Sequence, residues 1–114
     1  MAKRSPQIDG YHAHVYYEAD TKKTAARLRR RINARFDTVL GRWHDEPRGP
    51  HPLSFYQVAF TPELFADLVP WMALNREGLT ILIHPETGDG LADHSDFAMW
   101  LGKSIILRLG VSDN

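Results

Sequence analysis

There is no cysteine among the 114 residues of this chain. That excludes a disulfide framework and thiolate metal sites, so any metal must be held by histidine, carboxylate, carbonyl or water. Net charge is absent too, because fourteen Lys and Arg cancel fourteen Asp and Glu. A nucleic-acid partner is therefore not expected, since binding phosphates calls for a basic surplus. No apolar run approaches the roughly 18 residues needed to cross a bilayer, and the opening "MAKRSPQIDG" has a basic pair with no apolar segment behind it. The expectation is a soluble, cytoplasmic protein with no membrane partner. Repeats and low-complexity blocks are missing as well. A chain of this length can bury one core but not two, so residues 1–114 are expected to form a single domain.

The segments that remain alternate between two periods. From Tyr11 to Tyr17 the period is two, with Tyr11, Ala13, Val15 and Tyr17 on one side and His12, His14 and Tyr16 on the other. Thr21 to Phe36 has helical spacing, with Ala25, Leu28, Ile32 and Phe36 on one stripe and a Lys/Arg-rich solvated face. "TVLGRWHD" reads as a short strand and "EPRGPHP" as a loop; "LSFYQVAF" is a further strand. Thr61, Pro62 and Glu63 have the order of a helix start, and that helix runs to about Leu74. "LTILIH" is a buried strand, "PETGDGLADHSD" a loop, "FAMWLG" a short helix and "SIILRL" a last strand. The fold class expected is α+β, a ferredoxin-like βαββαβ sandwich with a C-terminal helix and strand appended. In that arrangement the first and third strands are expected side by side and parallel, the fourth antiparallel beside the first, with both helices on one face.

The histidines stand out against this frame. His12 begins the first strand, His51 precedes the third and His84 ends the fourth, so all three are expected at one edge of the sheet, with His14 about 6 to 7 Å further along. One metal ion could be reached by several of them. Each alone would read as a half-buried ring bonded to backbone, but four on one rim, two of them beside proline, favour metal. Glu86, Asp89 and Asp93 could complete a site of two histidines and one carboxylate, although each singly suits a loop cap. His44 has no such placement and is expected at the surface. "PETGDG" lacks the lysine and the strand–loop–helix order of a phosphate loop. The histidine face, expected to include Tyr56, Val58 and Leu82, is too apolar to stay wet. Either the segment with Trp100 and "SIILRL" covers it or a second copy does, and a homodimer with the site near the interface is expected. Trp71, Met72, Met99 and Trp100 are expected in the core.

Taken in order, "YHAHVYY", "GPHP", "FYQVAF", "ILIHPETGDGLADH" and "WLG" resemble the DOPA 4,5-dioxygenase family over about nine-tenths of the chain. The resemblance implies a ferredoxin-like fold and an extradiol dioxygenase that opens a catechol such as DOPA with molecular oxygen at non-haem iron(II). It adds His94, in the "DH" motif, to the candidates. Strand geometry favours His12, His51 and His84 as metal ligands, with His14 near enough to replace one. His14 or His94, neutral imidazoles, would move the catechol protons. Arg48, beside the "GPHP" loop, or Arg42 is the expected partner of a substrate carboxylate, and Tyr16 is a further substrate-contact candidate.

Two alternatives stay open. Zinc or another divalent metal would keep the histidines and change the chemistry, because imidazole suits both zinc and iron. A non-catalytic dimeric ferredoxin-like module that binds a small molecule would make the histidines structural. Metal content and oxygen consumption separate the three.

Overall fold

Alternation and helical spacing dictate the elements, which the computed structural model, describing residues 7–111, contains in the expected order as far as the fourth strand. Strand β1 (Tyr11–Tyr17) passes through a 3-10 turn into helix α1 (Lys22–Arg35), followed by a short strand β2 (Val39–Leu40). Strand β3 (Ser54–Phe60), a 3-10 turn at Pro62–Leu64 and helix α2 (Phe65–Asn75) lead to strand β4 (Ile81–Pro85). A one-turn helix α3 (Gly90–Asp93) and strand β5 (Met99–Leu101) complete the fold. Thr61, with extended backbone, and Pro62 do open the second helical segment, but as a 3-10 turn feeding the α-helix. Proline at a first helical position lacks only an N–H that would have no partner there.

The sheet order is β2-β3-β1-β4-β5, with every neighbouring pair antiparallel. This is the ferredoxin-like α+β arrangement with one strand added beside β4. The expected adjacency of β1 and β3 holds, but their expected parallel direction does not. Helix α1 returns the chain so that β2 runs the same way as β1, and the direct reversal from β2 into β3 then opposes β3 to both. The C-terminal expectations also change. "FAMWLG" supplies strand β5, with Leu82 opposite Trp100, while "SIILRL" forms no ladder. Apolar residues at alternating positions suit either a strand or an extended strap, and packing decides here. The strand expected in "TVLGRWHD" shrinks to Val39–Leu40 plus one bridge from His44 to Phe55.

Residues opposite each other in an antiparallel pair share a face. Val15 is opposite Tyr56 and Ile81, and Ala13 opposite Val58 and Ile83, so these six point toward α1 and α2. There they pack with Leu28, Ile32, Leu68 and Met72 to form the main core, flanked by Trp71 and Met99. Tyr56 and Val58 therefore do not share the histidine face, contrary to expectation; Phe55, Gln57 and Leu82 do. A second cluster covers part of that face, with Trp100, Ile105 and Leu107 over Tyr16, Phe55 and Leu82. The chain's own C-terminal segment, the first of the two expected covers, thus supplies that part of the cover. Among the described residues no helix is long and apolar enough to cross a membrane.

Candidate metal centre

Strand alternation puts His12 and His14 on the face away from the helices, and register puts His84 directly opposite His12. His51 arrives by another route. Arg48 and His51 exchange backbone hydrogen bonds of 3.1 and 3.0 Å across the Gly49–Pro50 turn. Gly49 has φ 57°, which glycine adopts without a Cβ penalty, and proline follows with its φ preset. The turn folds His51 back over the sheet face. It does not lie at the edge shared by His12 and His84, as expected, but over His14, with ring centroids 4.1 Å apart. His94, at the end of α3, closes the group from the opposite loop, with its ring 4.1 Å from that of His84.

Hydrogen bonding orients these rings. His84 Nδ1 lies 2.9 Å from the Pro85 carbonyl and His94 Nδ1 2.7 Å from the Gly90 carbonyl. A carbonyl only accepts, so each Nδ1 is the donor; in a neutral ring the lone pair is then on Nε2. His12 Nδ1 meets the Glu86 carboxylate at 2.9 Å, the arrangement found behind metal-bound imidazoles. The same carboxylate is 3.5 Å from His84 Nδ1. His51 Nδ1 is held at 2.7 Å by the Tyr16 hydroxyl. His14 and His84 bring their Nε2 atoms to 3.0 Å of each other. His14 Nδ1 and His51 Nε2 are buried with no partner among the described residues. A buried orphan of this kind costs about 1–3 kcal/mol, which a ligand would offset.

Ligand atoms within 4.8 Å of one another form two groups, His12–His14–His84 and His14–His51–His94, and His14 belongs to both. The expected trio of His12, His51 and His84 is not one of them. The cause is the path of the "GPHP" turn, which carries His51 to the far side of His14. Burial keeps His14, His51 and His84 neutral and able to ligate. His14 is held well below its ordinary pKa by burial first and by its four imidazole neighbours second. His51 is pushed down to about 3 and His84 to about 4, each chiefly by burial. A cysteine-free set of imidazoles backed by a carboxylate fits a divalent transition metal. Glu86 stands behind the rings, while Asp93 and Asp89 serve the loop. Asp93 accepts from Thr87 at 3.1 and 2.6 Å, and Asp89 caps α3 through Ala92 N–H.

A cleft of about 670 Å³ opens on His14, lined also by Arg42, Trp43, His44, Arg48, Phe55 and Gln57. Arg48 and Arg42 both line this cleft. His44 is not a free surface residue but stacks on Phe55 with ring centroids 4.9 Å apart. Tyr16, expected to touch substrate, is buried behind His51 and holds that ring instead. Gln57 was missed, although as the one polar residue in "FYQVAF" it marked the face that β3 shares with His14.

Fold and site together define a class, a ferredoxin-like domain that carries a buried histidine cluster able to hold a metal ion beside an open cleft. Within it, the chain belongs to the Dopa 4,5-dioxygenase family, whose model matches residues 11–111. It is 34% identical to DOPA 4,5-dioxygenase of Amanita muscaria over 112 residues, covering 90% of this chain and 49% of that protein. It is likewise 34% identical to an uncharacterized 21.2 kDa protein of Botryotinia fuckeliana, covering 89% of this chain and 62% of that protein. The chain thus spans about half to three-fifths of these relatives. A crystal structure from Nostoc punctiforme PCC 73102, of a protein provisionally described as a dioxygenase, superposes with TM-score 0.90 at 52% identity, covering 93% of this chain and 92% of that one.

Proposed function

We propose that this protein is a metal-dependent extradiol dioxygenase that opens the ring of a catechol bearing an acidic substituent, with iron(II) as its metal. The observation that carries the reading is the imidazole cluster, in which ligand atoms of His12, His14 and His84 lie within 4.8 Å of one another while the Nδ1 atoms of His12 and His84 meet oxygen atoms behind them. We assign His12, His14 and His84 as the metal-holding set, because two of their Nε2 atoms already converge and Glu86 backs both outer rings. When bound there, iron(II) supplies Lewis acidity and the one-electron chemistry that lets dioxygen react with a catechol.

The chain's own residues do the rest. His51 and His94, on the opposite side of His14, are the imidazoles positioned to take a catechol proton and return it. Phe55 and Trp43 give the cleft apolar wall on which an aromatic ring can lie. Arg42 and Arg48 face the same cleft and offer guanidinium forks to a substrate carboxylate, whereas Asp45 is already engaged by Lys22 and Tyr17.

The test is anaerobic loading with iron(II), then DOPA and oxygen, followed by visible absorbance and oxygen uptake. A coloured product formed with equimolar oxygen consumption supports ring cleavage. Metal binding without oxygen uptake across a panel of catechol acids would sink it.

A further inference from the structure

Beyond β5 the chain runs extended across the histidine face without joining the sheet. Ile105 and Leu107 pack inward against the cluster of Tyr16, Phe55 and Leu82, while Ile106 between them is 92% exposed. The strap then reaches Arg108. Its backbone N–H donates to the Pro50 carbonyl at 2.9 Å, and its Nη2 donates to the Gly49 carbonyl at 2.9 Å and to the His51 carbonyl at 3.4 Å. The three acceptors are consecutive and make up the turn that brings His51 over His14.

The choice of side chain is informative. Among the described residues Arg108 has no carboxylate partner, so its charge is spent on the turn's carbonyls. The planar guanidinium fixes the direction of both Nη2–H groups, which serve the two neighbouring carbonyls, whereas an ammonium rotates freely. His51 is thereby gripped twice, at its ring by Tyr16 and at its backbone by Arg108.

We infer that Arg108 is a positioning residue, holding the Gly49–His51 turn so that His51 Nε2 stays over His14. This rests on the reading that His51 serves the histidine centre. Misplacing a reacting group by about 1 Å can cost on the order of a hundredfold in rate, so the effect of losing this grip falls on turnover rather than on substrate affinity.

The experiment compares Arg108→Ala, Arg108→Gln and Arg108→Lys with Leu28→Ala, which destabilises the helix-side core without touching the strap or the turn. Two readouts are taken: kcat and KM for catechol cleavage by the iron-loaded protein, and the ¹⁵N resonances of the histidine rings in metal-free protein. The expected result for Arg108→Ala is a kcat lower by about tenfold or more with KM within about twofold, part of which Arg108→Lys restores. The His51 ring resonances shift while those of His12, held by Glu86, stay. In Leu28→Ala thermal stability falls with kcat and the His51 resonances unchanged. If Arg108→Ala does not fold, Arg108→Gln carries both readouts. A variant that loses stability but keeps kcat and the His51 resonances overturns the inference, since Arg108 would then only fasten the strap. If the wild-type protein shows no catechol turnover, ring cleavage fails as a reading. The His51 resonances then decide positioning alone, a shift supporting it and none refuting it.

Discussion

The two faces of this sheet are built from the same strands under opposite rules. On the helix side, Ala13, Val15, Tyr56, Val58, Ile81 and Ile83 need only fill volume, and each Å² of apolar surface they bury contributes about 25 cal/mol. On the other side, His14, His51 and His84 are just as buried, yet their burial opposes the charged form of every ring. Each ring is worth burying only if its nitrogens meet particular atoms. Strand β1 supplies both faces, so a one-residue slip in its pairing would exchange them. Function thus rests on register as much as on composition.

Single truncations on the two faces should break this comparison most widely. Leu28→Ala on α1 should cost about 2–5 kcal/mol of stability by leaving a cavity, while the folded fraction still binds metal stoichiometrically. His14→Ala should abolish stoichiometric metal binding with the fold retained, because His14 is common to both ligand groups. Metal analysis alongside denaturant unfolding separates the two. His12→Ala and His84→Ala should likewise lose the metal, whereas His51→Ala and His94→Ala should keep it and lose turnover. Retention of metal in His12→Ala together with loss in His51→Ala would move the ion to the second group.

Acid sharpens the contrast next. An unfolded histidine titrates near 6.5, but His84 in the fold stays neutral down to about 4 and His51 down to about 3. Between those values the unfolded chain binds more protons than the folded one, so stability is full above about pH 6.5 and falls as the pH drops. Each such ring should contribute a slope of up to about 1.4 kcal/mol per pH unit in metal-free protein. Urea unfolding from pH 7.5 to pH 5 measures it. Leu28→Ala should lower the whole curve without changing its slope, and His84→Ala should flatten it. A slope unaffected by His84→Ala would mean that this ring is not buried neutral.

Two tyrosines allow a finer comparison. Tyr56 donates to the Ala25 carbonyl at 2.8 Å on the helix side, and Tyr16 holds His51 at 2.7 Å on the other. Tyr56→Phe and Tyr16→Phe should each cost about 1–3 kcal/mol, since each leaves a buried group without its partner. Only Tyr16→Phe should also lower kcat. Equal turnover in the two variants would mean that the hydroxyl at position 16 does not orient His51.

Local pattern explains what could be read from the chain alone. The alternation of "YHAHVYY" correctly divided β1 into its two faces, and the helix, turn and strand order led to the ferredoxin-like topology. Three things depended on non-local pairing and went astray. The register of β3 against β1 decided whether Tyr56 or Phe55 faced the histidines. The fate of "SIILRL" turned on whether β5 left it a ladder to join. The position of His51 depended on how far the Gly49–Pro50 turn folds back, and no spacing rule encodes that distance. Arg108 gave no signal at all, because carbonyls are acceptors that every residue carries.

The smallest effect tests the loop that delivers His94. Asp93 is buried, and its carboxylate accepts from Thr87 at both backbone N–H and hydroxyl, tying the start of the 86–94 segment to its end. Thr87→Val keeps the shape and the N–H bond but removes the 2.6 Å hydroxyl bond to the carboxylate. A hydrogen bond to a charged group contributes about 1.5–3 kcal/mol, and the remaining N–H bond should hold the observed loss to the lower part of that range. Because α3 ends on His94, slack here should reach the centre as a severalfold loss of turnover with metal content unchanged. On the helix face no loop intervenes between packing and fold, so a deletion of similar cost, such as Ile83→Val, should leave turnover alone. Should the two variants match in both stability and turnover, the loop would be holding His94 no more tightly than the core does.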